Sequence, residues 1–125
     1  MKLQPDQFDV QSINACGPDW VSVNGEKFTT SLLVGSRGEL TPWPVAAFAD
    51  LDAEHFATLS EMAPELVIFG SGQKLRFPSP AWLSVLMARR IGVETMDTQA
   101  ACRTYNILAG EGRHVIAALL VEPVP

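Results

Sequence analysis

A chain of 125 residues is one domain's worth of material, enough to bury roughly two-thirds of the surface that its unfolded form exposes. Hydrophobic residues make up 47% and charged residues 18%, which excludes a disordered or fibrous protein. The net charge of −5 argues against broad binding to nucleic-acid phosphates or anionic membrane surfaces, since both need a basic face.

Met1 to Asp6 carries neither the apolar stretch of a secretory signal nor the arginines of a transit peptide, so a cytoplasmic location is expected. Val10 to Ala15 reads as a weak strand, turned by Gly17-Pro18-Asp19 into the alternating Trp20-Val21-Ser22-Val23. Asn24-Gly25 supplies two positive-φ positions for a type I′ hairpin tip, and a second arm runs from Glu26 to Thr30. Ser31 to Val34 continues that arm or bends into a neighbouring sheet. A turn at Gly35 to Gly38 and an extended Thr41-Pro42-Trp43-Pro44 follow.

Helix and strand then alternate. Asp52 caps a helix to about Met62, with Phe56, Leu59 and Ala63 on one face and Pro64 as its stop. Glu65 to Phe69 is a buried strand stopped by Gly70-Ser71-Gly72. Ser79 is expected to cap a helix beginning at Pro80 and running to Ile91, with Arg89 and Arg90 at its negative end and Gly92 as a left-handed terminator. Val93 to Met96 is a short strand, Asp97 caps a third helix to about Ala109, and His114 to Val121 is a final apolar strand. That last stretch is too short to span a bilayer, so an integral membrane protein is not expected.

This order calls for one α/β domain with a central sheet covered by helices. The sheet is mixed, or the leading hairpin forms its own small layer. The last three strands are expected to run parallel, joined by right-handed crossovers.

Gly70-Ser71-Gly72, after a buried strand, stands where open α/β sheets gather ligands. It completes no dinucleotide fingerprint, P-loop or nucleophile elbow, and no cofactor is implied. A tight turn is the simpler account. Asp97 and Thr98 should lie at the same sheet edge, and Asn106 on the polar stripe of the third helix could rim the crevice. Asp97 already holds the helix-start amides, so a neutral polar ligand suits the place better than phosphate. Cys16 and Cys102 read as two reduced thiols, and with only His55 and His114 a metal site is not expected. Helix 80 to 91 is apolar almost all round, so Trp82, Leu83 and Met87, together with Trp43 on its extended loop, are either core or an interface patch for a protein partner or a second copy.

Glu65-Leu66-Val67-Ile68-Phe69-Gly70-Ser71-Gly72, Gly92-Val93-Glu94-Thr95-Met96-Asp97-Thr98, Thr104-Tyr105-Asn106 and Glu111-Gly112-Arg113, in this order, resemble the Mth-type domain of unknown function. That family includes the mitochondrial complex I assembly factor three and small bacterial and archaeal relatives, and the resemblance runs from about Phe8 to Val121. It implies a three-layer α/β fold: a small β layer, a central mixed sheet, and helices on the other side. It also implies a last strand antiparallel to its sheet neighbours, which replaces the all-parallel expectation. The functional expectation is a non-catalytic interaction or assembly-type protein. A small-molecule binder or enzyme using the crevice is the alternative.

Overall fold

The computed structural model describes residues 10–123, so Met1 to Asp6, Phe8 and Pro125 lie outside the described residues. Three short antiparallel strands, β1 (Ile13–Gly17), β2 (Trp20–Val23) and β3 (Glu26–Phe28), form a sheet of their own. Asn24 at φ 54° and Gly25 at φ 80° make the expected tip between β2 and β3. The chain then enters a five-stranded sheet through β4 (Leu32–Gly35) and the short edge strand β5 (Leu40–Pro42).

Helix α1 (Ala53–Ser60) begins at Asp52, whose carboxylate accepts from the amides of Glu54 and His55. His55 completes a capping box by accepting from the Asp52 amide at 3.2 Å. The helix buries Phe56 and Leu59 but ends before Ala63, which takes φ 53° ahead of Pro64. The residue before proline is disfavoured in the helical region, so the stop falls earlier than apolar spacing implied.

Strand β6 (Leu66–Gly70) leads to a 3-10 turn (Pro80–Leu83), then α2 (Ser84–Ala88) and β7 (Gly92–Met96). The continuous helix expected over 80 to 91 is therefore broken. Ser79 makes no side-chain cap, and Trp82 N bonds Ser79 O at 2.9 Å in a tightened first turn. That turn seats Trp82 against Phe48 and Phe56, and this packing outweighs helix propensity. Gly92 opens β7 instead of terminating a helix, and the left-handed residue is Arg90, at φ 59°. Arg89 donates to Ser60 O at 3.1 Å and so ties α2 to α1.

Helix α3 (Thr98–Gly110) starts at Asp97, which accepts from Ala100 N as expected, and β8 (Val115–Leu119) completes the sheet in the order β5-β4-β8-β6-β7. β8 is parallel to β6 and antiparallel only to β4. The fully antiparallel last strand expected from the family resemblance is thus corrected, and the crossover argument for three parallel strands holds. The path runs from β6 to β7 on one side and returns to β8 on the other. Right-handed crossovers in opposite directions place their helices on opposite faces.

The two faces confirm this. Leu32, Val34, Leu66, Ile68, Val115, Ala117 and Leu119 pack with β1, β2 and α3, whereas Leu33, Val67, Phe69, Ile116, Ala118 and Leu120 pack with α1 and α2. Period-two alternation in strands buried on both faces produces two cores from one sheet. The small sheet is a separate layer, as expected, but α3 shares its side of the central sheet instead of joining the other helices.

Candidate functional site

Three chain segments leave the carboxyl edge of the parallel strands together: Gly70-Ser71-Gly72 after β6, Asp97-Thr98 after β7, and Leu120 to Glu122 after β8. This is where α/β sheets gather ligands, but here the segments close on one another. Ser71 N donates to Met96 O at 2.8 Å, and its hydroxyl donates to Lys74 O at 2.8 Å and accepts from Arg76 N at 3.0 Å. Gly72 N donates to Thr98 Oγ1 at 2.9 Å, and Thr98 Oγ1 donates to Leu120 O at 2.8 Å. Thr98 N in turn bonds Gly72 O at 2.8 Å. The expected crevice residues are brought together, yet the Ser71 and Gly72 amides are spent on the protein itself. Asn106 lies elsewhere, bonded to Ile13.

Outside this seal lies an open cleft of about 430 Å³, lined by Ala47, Gln73, Lys74, Arg76, Glu122 and Pro123. Arg76 spans it. Its guanidinium pairs with Glu122 at 2.5 Å, donates twice to Ser71 O, and lies 4.8 Å from the Phe48 ring centre. Glu122 also accepts from Phe48 N at 2.8 Å. Gly72, at φ +102°, passes so close that a Cβ would stand 2.5 Å from Arg76 Nη2. Arg76 therefore holds the loop in place, with three of its five N–H donors turned to the protein itself. Arg76 and Glu122 are distant in sequence, and no local motif announces the pair.

Trp43 is only 3% exposed, T-shaped to Phe56 at 5.9 Å and to Phe69 at 6.0 Å. Of its two expected roles the structure selects the core, so Trp43 leaves the interface patch. Proline-stiffened backbone on both sides folds it inward between the sheet and α1. Trp82 and Leu83 are half-buried, and Met87 is 66% exposed. Three further exposed apolar side chains have no counterpart in the expected patch: Leu75 and Phe77, on the loop after β6, and Ile107 on α3. For Leu75 and Phe77, apolar residues alternating in a segment bounded by glycine and proline were the available signal.

Other polar groups form a buried support. Gln11 Nε2 donates to Gly35 O and Glu39 O, Tyr105 OH donates to Gln11 O at 2.6 Å, and His114 Nε2 lies 2.8 Å from Glu39. Burial pushes Tyr105 up, with the Glu39 charge adding to it, so its phenol stays protonated. For Glu39 burial acts upward, but the His114 bond, backbone amides and the His114 charge outweigh it and hold the carboxyl below its ordinary value. Cys102 is pushed up by burial and by Cys16, as befits an inert core thiol. Among the described residues every buried side-chain polar atom has a partner, so this network reads as structural.

Residues 13–120 match the family described as a protein of unknown function (DUF498/DUF598). The chain is 36% identical over 122 residues to NADH dehydrogenase [ubiquinone] 1 alpha subcomplex assembly factor 3 of Rattus norvegicus, covering 95% of this chain and 63% of the relative. The alignments span between 45% and 67% of the vertebrate assembly factors' length. A crystal structure of a Bordetella parapertussis protein superposes with a TM-score of 0.84 at 37% identity, covering 90% of this chain and 96% of the other. The solution structure of a Bordetella pertussis Mth938-like domain gives 0.76 at 30% identity, covering 97% and 92%. With the family match running from β1 to the end of β8, this chain belongs to the DUF498/DUF598 family of Mth938-like domains.

Proposed function

We propose that this chain is a non-catalytic, assembly-type protein that works in the cytoplasm and holds a protein partner beside the β6–α2 crossover. One observation carries the reading. Of the five large apolar side chains that stand well exposed among the described residues, four (Leu75, Phe77, Val85 and Met87) fall in this crossover. A concentration of exposed apolar area is a docking signature in a soluble fold. The name of the rat relative, an NADH dehydrogenase assembly factor, supports a subunit of an NADH dehydrogenase as the class of partner. Against the small-molecule alternative stands the saturation of Ser71, Gly72 and Thr98 by hydrogen bonds within the protein.

Photo-crosslinking in the native cell tests this, with the crosslinker placed in turn at Phe77, at Met87, and at Arg37 on the opposite sheet edge. Adducts to NADH dehydrogenase subunits from the first two positions but not the third are expected. Equal adducts at all three positions, or none, overturn the proposal.

A further inference from the structure

Strand β7 ends the central sheet, and among the described residues nothing pairs with its outer side. Gly92 N donates to Glu65 O at 3.3 Å and Met96 O accepts from Ser71 N at 2.8 Å. In a parallel ladder the even-numbered residues therefore turn their backbone groups to β6, and Val93 and Thr95 turn theirs outward. The opposite edge of the sheet is blunted: β5 has three residues and ends in Pro42. β7 has five residues, no proline, strand-forming Val93 and Thr95, and one charge, Glu94.

That charge decides the occupant. A second copy that used both outward pairs would place Val93 opposite Thr95 of the other copy. Glu94 would then face Glu94 in a non-hydrogen-bonded pair, where side chains approach closest and like charges repel. An extended segment with a basic residue at that position turns the repulsion into attraction. We infer that β7 is a strand-addition edge for an extended segment of a partner protein, with a Lys or Arg opposite Glu94 and β-branched residues beside it. This rests on the protein-partner reading above and names how the partner docks.

The experiment titrates the full chain with the acetylated peptide Thr-Val-Lys-Val-Thr and with its glutamate counterpart, and follows backbone amides by NMR. The lysine peptide should shift and protect the Val93 and Thr95 amides and bind at least about tenfold more tightly than the glutamate peptide. Glu94→Lys should invert that preference. Thr95→Pro removes an outward donor without touching the ladder to β6, and should abolish binding at an unchanged melting temperature. If Thr95→Pro fails to fold, the Glu94→Lys inversion still decides. Unmoved Val93 and Thr95 amides overturn the proposal. Shifts confined to Leu75 and Phe77 overturn the edge while leaving the partner reading intact. A homodimer in sedimentation that Thr95→Pro dissolves overturns it in favour of a second copy.

Discussion

Asn106 grips the backbone of Ile13 with both ends of its carboxamide: Oδ1 accepts from Ile13 N and Nδ2 donates to Ile13 O, each at 2.8 Å. One residue earlier, Tyr105 donates to Gln11 O. Consecutive positions of α3 thus fasten the small sheet to the layer beneath. Asn106→Ala strands two part-buried backbone groups and should cost about 2 kcal/mol. In urea unfolding the midpoint should fall with the slope unchanged.

Gly72 and Gly25 separate two reasons for glycine. Both have positive φ, but a Cβ at Gly25 meets nothing within 4 Å, whereas one at Gly72 collides with Arg76 and Glu122. Gly25→Ala should cost about 1 kcal/mol of backbone strain. Gly72→Ala should cost more, because it also pries apart the Arg76–Glu122 pair. Thermal melts of Gly72→Ala, Arg76→Ala and the double variant Gly72→Ala/Arg76→Ala test the coupling: the two changes should cost less together than the sum of each alone.

Glu39 makes stability depend on pH. Its folded pKa lies below its ordinary value, so the folded state favours the ionised form. The resulting stabilisation is complete above the unfolded pKa and is lost as pH falls through the folded one. Glu39→Gln should therefore lower stability at pH 7 and flatten the acid limb, narrowing its gap to the parent as pH falls. Chemical denaturation at a series of pH values from neutral to acidic checks the sign.

Trp43→Ala and Met87→Ala divide core from surface. Removing a buried tryptophan packed between Phe56 and Phe69 should cost about 3–5 kcal/mol. Met87→Ala should stay within about 0.5 kcal/mol, since the side chain is exposed. Melting temperatures read both, and crosslinking yield from Phe77 should fall only with Met87→Ala.

Local chemistry made much of this molecule legible. Asn24-Gly25 carries its turn in two residues, Asp52 and Asp97 accept from amides a few positions on, and Leu66 to Phe69 is apolar at every position because both faces of its strand are covered. Such signals survive in sequence because their partners are neighbours. The sequence also placed Gly70 to Gly72 and Asp97-Thr98 at one edge, since parallel strands end together. Only the tertiary structure decided that this edge is sealed: the sealing groups, Thr98 with Leu120 and Arg76 with Glu122, meet across 22 and 46 positions of chain. It likewise decided that Trp43 is core and Leu75 and Phe77 are surface. Hydrophobicity drives burial without direction, and which apolar side chains find room depends on how sheet and helices stack.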